Sequence, residues 1–114
     1  MSALGKPLII YTAGQYTAPT PEEIDANVDR AAKAGQEIMR RGHAVICPHT
    51  LTHRWDIGTG LGYGDFMRNC LILLEKCDAI CLLPGWEKSD GAKHEYDVAK
   101  SLNMPTFFGV EDIP

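Results

Sequence analysis

Ser89, Gly91 and Glu95 are the residues whose types and spacing most directly suggest chemistry in this chain. They lie in CDAICLLPGWEKSDGAKHEYDVA, residues 77–99, which reads as a buried strand (Ala79–Leu83), a polar turn (Pro84–Asp90) and a helix opening near Gly91. The spacing puts Glu95 about one turn inside that helix. An anion can sit on a helix N-terminus, where backbone N–H groups lack acceptors and the dipole favours negative charge. The same field is predicted to hold Glu95 ionised, by roughly 0.3–1 kcal/mol if the side chain is exposed. An ionised carboxylate beside an anion site is a candidate nucleophile for a sugar carbon. Each residue also has a plainer role open to it, Ser89 as a helix cap and Glu95 as a solvated helix residue.

Other segments must position these groups. Pro7–Ala13 (PLIIYTA) is a β-branched run that suits a central buried strand. After the turn-rich GQYTAPT, Thr20 precedes Pro21, Glu22 and Glu23, the signature of an N-cap, a first-position proline and an acidic first turn. Ile24, Val28, Ala31, Ala32, Ile38 and Met39 recur at helical spacing, and Gly42 supplies a left-handed stop. His43–Cys47 is the second predicted strand. Residues 48–63 read as a long polar, glycine-rich loop around Trp55, and loops longer than about 12–15 residues are usually functional or mobile. A helix is predicted over Asp65–Lys76, with Phe66, Met67, Cys70, Leu71, Leu73 and Leu74 near one face. Asp78 opens the third strand, the third helix covers Gly91–Leu102 with Asn103 as its stop, and Pro105–Val110 is the fourth strand.

The order β-α-β-α-β-α-β implies an α/β fold, with a Rossmann- or flavodoxin-like parallel sheet of about four strands and helices on both faces. Strand order 2-1-3-4 is the simplest arrangement. Its switch point sets the loops after strands 1 and 3 across one crevice, where ligands of such sheets bind.

A chain of 114 residues corresponds to one domain, residues 1–114. The net charge of −4 and a pI near 5.5 leave no electrostatic footprint for nucleic acid. Arg40–Arg41 is better placed to complement a helix end than to bind phosphate. No apolar run approaches the ~20 residues that cross a bilayer. The opening MSALGKPLIIYTAG lacks the apolar length and cleavage site of a signal peptide, so a cytoplasmic location without membrane attachment is expected.

Cys47, Cys70, Cys77 and Cys81 form no C-x-x-C pair and read as reduced thiols, with Cys47 and Cys81 as small buried hydrophobes. His49 and His53 lie four apart, but Pro48 argues against a helix there, so a substrate-contacting loop is the better reading than a metal site. No G-x-G-x-x-G or P-loop is present. Tyr11, Gly14 and Tyr16 either line a pocket for a base or sugar or serve only packing and a tight turn. Trp86 either stacks on a base or covers the core edge. Asp78 lies at the amino end of its strand, away from the site, as a structural hydrogen-bonder, and His94 is placed on the solvent side.

Together these segments resemble the nucleoside 2-deoxyribosyltransferase-like family, which includes deoxynucleoside 5′-monophosphate N-glycosidases. IYTAGQYT is similar to that family's IYxAGPYT opening, with Gln15 in place of proline. A PH pair follows strand 2, and Ser89, Gly91, Glu95 and Ala99 match S/D-x-G-x-x-x-E-x-x-x-A. The resemblance implies that Glu95 attacks the anomeric carbon while the base departs, through an oxocarbenium-like transition state. It implies that Ser89, rather than Asp, marks a 5′-phosphate ligand, because a hydroxyl donates to phosphate where a carboxylate would repel it. Ser89 and Gly91 would hold the phosphate with help from Gly14, and Tyr11 would orient Glu95 or the sugar. Tyr16, His49 and Trp86 would contact the substrate.

The family often carries an Asp eight residues before the position of Asp78. Here that residue is Cys70, with Asn69 beside it and Asp65 a turn earlier, so Asp65 or Asn69 is expected to assist the leaving base. No metal or organic cofactor is expected. The expected partners are a small nucleotide or nucleoside and further copies of the chain, in a homo-oligomer with shared sites. A nucleotide-binding or sensing module without turnover is the alternative that the missing Asp raises.

Overall fold

The computed structural model describes residues 6–114. The opening residues 1–5, part of the stretch read above for a signal peptide, lie outside it. Four parallel strands, β1 (Ile9–Ala13), β2 (Ala44–Ile46), β3 (Ala79–Leu82) and β4 (Thr106–Phe108), form one sheet in the order β2-β1-β3-β4. This is the expected topology. Strand periodicity splits the core into two layers. Ile10 of β1 and Ala79 and Cys81 of β3 pack against Ala31 and Ile38 of α1 (Pro21–Arg40). Tyr11, Ala13, Ile80 and Leu82 face the other way, onto Leu74 of α3 (Tyr63–Glu75) and Ala92 and Ala99 of α4 (Asp90–Ser101).

The ends of α1 follow the sequence signals. Thr20 Oγ1 accepts from the Glu23 N–H at 3.2 Å, Pro21 opens the helix, and Gly42 takes φ +90° just past it. Arg41 has a further task. Its Nη1 donates to the carbonyls of Val110 (2.8 Å) and Ile113 (2.7 Å), which ties the last residues to α1. Asp78 is structural, as expected. Its Oδ2 accepts from the Ile9 N–H at 2.8 Å, at the amino end of the sheet.

Most elements begin or end a residue or two away from the reading above, and the differences that matter fall between β2 and α3. Residues 48–63 are not wholly loop, because Pro48–Leu51 forms a one-turn helix, α2. Pro48 opens that turn rather than preventing it, since a proline at the first helical position forfeits only an N–H that has no intrahelical acceptor. α3 begins at Tyr63, two residues before the predicted start. Gly62 is its cap residue, and the Asp65 carboxylate accepts from the Gly62 N–H at 2.9 Å. No helix among the described residues is long and apolar enough to cross a membrane.

Two glycines test the packing. A Cβ at Gly35 in α1 would sit 3.8 Å from Val45, an ordinary contact, whereas one at Gly14 would meet Leu83 Cβ at 3.0 Å. Gly35→Ala is therefore expected to raise stability by ~0.5–1 kcal/mol. Gly14→Ala is expected to lower it by ~1–3 kcal/mol. Urea unfolding of the two variants reads both signs.

Candidate functional site

A cavity of about 850 Å³ opens at the carboxyl ends of β1 and β3. Four segments wall it. The β1–α1 connection supplies Gly14, Gln15, Tyr16 and Thr17, and α2 with the residues after it supplies His49, Thr52, Asp56 and Leu61. Tyr63, Phe66, Met67 and Cys70 come from α3, and Lys88–Ala92 and Glu95 from the start of α4. This is the crevice expected from a switch between β1 and β3.

Glu95 lies on the wall of this cavity and is only 7% exposed. The Tyr11 hydroxyl, projecting from the centre of the sheet, donates to its Oε2. Burial pushes the Glu95 carboxyl up to about 7, against the Tyr11 hydrogen bond and the nearby His49, which both lower it. This corrects the expectation that the helix field keeps Glu95 ionised. A dipole contribution of roughly 0.3–1 kcal/mol applies to an exposed group, and desolvation of a buried one is larger. Burial, and then the Glu95 charge, raise the Tyr11 phenol, so it stays protonated as the donor.

Ser89 caps α4, its Oγ accepting from the Ala92 N–H at 3.1 Å, and it also lines the cavity. Capping uses a lone pair and leaves its hydroxyl proton free. The N–H groups of Asp90 and Gly91, in the first turn, have no intrahelical acceptor. Gly91 is a point of close approach, since a Cβ there would lie 3.2 Å from Met67 Cε and 3.4 Å from the Tyr63 hydroxyl oxygen. His49 is buried, with Nε2 3.2 Å from the carbonyl oxygens of Gly14 and Gln15, so α2 fixes the β1–α1 turn.

Asp65, Asn69 and Trp86 are not on the cavity. Residues advance by about 100° each along a helix, so Phe66 and Cys70 share the stripe that faces the cleft while Asp65 and Asn69 share the next one. Asp65 instead caps α3 and pairs with Arg68 at 3.1 Å. Its backbone hydrogen bond with Gly62, and then Arg68, hold its carboxyl below the usual range. Trp86 packs edge-on against Tyr96, with centroids 5.2 Å apart, and leans on Phe108 at 6.5 Å. Of its two readings it takes the core-covering one.

Cys70, which stands where the resembled family often carries an Asp, lines the cleft, and so does Asp56, which no motif points to. The cleft side of Cys70 is implicit in the spacing of Phe66 and Cys70, whereas nothing local marks Asp56. Cys47 is more than a buried hydrophobe. It stands at the cap position of α2, where burial raises its thiol but the polar groups beside it, the His49 ring, the Thr12 hydroxyl and the Thr50 backbone, outweigh this and bring it to about 7. Among the described residues, no three His, Cys, Asp or Glu side chains converge as a metal site.

Residues 9–108 match a family described as a domain of unknown function, DUF4406. The chain belongs to this family. No curated protein matches the sequence.

The buried carboxyl has a consequence for stability. Its value is raised above the ordinary 4.5, so the native state holds a proton between pH 4.5 and about 7 that the unfolded state has released. The stability of the protonated form is fully present below pH 4.5 and is lost as pH rises to about 7, an effect of about 3 kcal/mol. Glu95→Gln is therefore expected to raise Tm at pH 8 by several degrees and to leave it nearly unchanged at pH 4. Thermal melts at the two pH values read the difference.

Proposed function

We propose that this protein cleaves the N-glycosidic bond of a deoxynucleoside 5′-monophosphate, or transfers its deoxyribosyl group, with Glu95 as the nucleophile. The observation that carries this reading is a buried carboxyl, held by a tyrosine hydroxyl, in a cavity whose rim is a helix N-terminus. Membership of DUF4406 leaves the activity open. The resemblance to nucleoside 2-deoxyribosyltransferase-like enzymes supplies the reaction class.

In this reaction a Glu95 oxygen forms a bond to the anomeric carbon as the carbon–nitrogen bond breaks, and the base leaves with the electron pair and takes up a proton. Water or a second base then attacks the same carbon and frees Glu95. The Tyr11 hydrogen bond fixes one carboxylate oxygen and leaves the other for the sugar. Ser89 Oγ–H and the first N–H groups of α4 suit a 5′-phosphate, and Lys88 adds positive charge at the same rim. The proposal includes a homo-oligomer. Trp55 and Ile57, 56% and 68% exposed in the segment bordering the cleft, are the kind of surface that a second subunit covers.

The attacking carboxyl must be ionised, so kcat/KM is expected to rise with pH through about 7. Tyr11→Phe removes a hydrogen bond that lowers the carboxyl's value, and should move this limb to higher pH. Incubation with a panel of deoxynucleoside monophosphates, with chromatography for free base, is the test. Glu95→Ala is expected to abolish base release, and dilution below the assembly threshold to reduce it. Undiminished release by Glu95→Ala would remove Glu95 from the mechanism.

One observation favours a second reading, a nucleotide-binding module without turnover. α3 brings Phe66, Met67 and Cys70 to the cleft and no carboxyl group. Saturable nucleotide binding in calorimetry, with no base released over hours, would establish it.

A further inference from the structure

Three segments far apart in the chain meet at Tyr16. Its hydroxyl oxygen lies 3.0 Å from His53 Nδ1, and His53 Nε2 lies 3.2 Å from Asp25 Oδ1 on α1. The Tyr16 backbone is held as well, its carbonyl accepting from Asn27 Nδ2 at 3.0 Å. Tyr16 lines the cavity that contains Glu95, whereas His53 and Asp25 stand behind it. A phenol backed by an imidazole and then by a carboxylate has the same logic as a catalytic triad, in which each group fixes the orientation and proton of the one before it.

The turn that delivers His53 is a costly one. Arg54 takes φ +68°, a conformation that residues other than glycine rarely adopt, and it is exposed. Such backbone persists where surrounding contacts over-determine it. Here those contacts include Arg54 Nη2, 3.5 Å from Asp25 Oδ2, so that Arg54 and His53 share one carboxylate.

We propose that Tyr16 is the acid that protonates the departing base, with His53 and Asp25 as the residues that position and reload it. This rests on the N-glycosidic reading above and supplies what Asp65 and Asn69, turned away from the cleft, do not. In the competent form His53 is an imidazolium. Its Nδ1–H donates to the Tyr16 oxygen and its Nε2–H to Asp25, which leaves the Tyr16 O–H free to point at the ligand. As the carbon–nitrogen bond breaks, the phenolic proton passes to the base nitrogen and the Nδ1 proton passes to the phenol oxygen. The chain ends with a neutral His53 still bonded to Asp25, and a proton from solvent restores it.

The charged and titratable groups around this chain are Asp25 from α1, Arg54 and Asp56 from the segment carrying His53, and His49 from α2, whose ring centroid is 5.9 Å from that of Tyr16. Burial, and then Asp56, raise the Tyr16 phenol, which keeps it a proton donor at neutral pH.

The test compares two leaving groups. One substrate is a deoxynucleoside 5′-monophosphate. The other is 2-deoxyribose 5-phosphate carrying a 4-nitrophenyl group, whose anion departs without a proton. Wild-type protein is expected to cleave both. Tyr16→Phe should lose about 10²–10⁴-fold in kcat on the nucleotide and only a few-fold on the nitrophenyl substrate. His53→Gln and the half-exposed Asp25→Asn should lower kcat rather than raise KM on the nucleotide, again sparing the nitrophenyl substrate. Retained nitrophenyl cleavage reports an intact fold, and Asp25→Asn carries the test if Tyr16→Phe does not fold. Equal losses on both substrates, or none on either, would overturn the role of Tyr16 while leaving Glu95 in place. Failure of the wild type on both substrates would overturn the glycosidic reading itself, and this one with it.

Discussion

The hydrogen bond between Tyr11 and Glu95 is the constraint around which the site is arranged. It joins β1, one of the two central strands, to α4, two elements that also share the layer of Ile80, Leu82, Ala92 and Ala99. A carboxyl group buried in that layer is unfavourable as an anion, and burial moves it to about 7. Tyr11 is the compensating donor, and it is itself fully enclosed, so it cannot turn to solvent. A surface glutamate at this place in α4 would be more favourable for folding. The arrangement instead keeps one carboxyl near its titration point beside a cavity, which is the condition that acid–base and nucleophilic chemistry require.

The sheet sets where this happens. Because β1 and β3 are parallel neighbours with α1 on one face and α3 and α4 on the other, their following connections part at the carboxyl edge and leave a cleft. Each wall contributes a different physical property. The start of α4 brings unpaired N–H groups, Ser89 and Lys88, and α3 brings an apolar surface. The β1–α1 connection and residues 48–63 bring the polar groups Tyr16, His49 and Asp56. α2 closes the assembly by placing His49 under the Gly14 and Gln15 carbonyls. The family to which the chain belongs is described as a domain of unknown function, and the cleft itself carries the groups suited to chemistry.

The architecture was legible because its signals are local. PLIIYTA and AICLL are apolar on both faces, as strands covered by helices on either side must be, and Thr20–Pro21 and Gly42 mark the ends of α1 in their own residue types. Ser89, Gly91 and Glu95 could be set at the start of α4 from spacing alone. α2 was not legible, since four residues are too few to display a helical period. The charge state of Glu95 depends on what covers it, and that cover comes from β1 and α3. Trp86 settles onto Tyr96 and Phe108, an outcome decided by packing between elements. The Tyr16–His53–Asp25 chain spans 37 and 28 residues of sequence, so no periodicity links its members. Asp65 and Asn69 are the exception. Helical geometry alone separates their stripe from that of Phe66 and Cys70, and proximity in sequence to the expected position was the weaker guide.

The most direct measurement of the central claim is a carbon-13 NMR titration of the glutamate side-chain carboxyls, with and without a deoxynucleoside monophosphate. One carboxyl should titrate at about 7, vanish from the spectrum of Glu95→Gln, and shift when nucleotide is added. A Glu95 resonance that titrates in the ordinary carboxylate range near 4.5 and ignores the nucleotide would contradict the account.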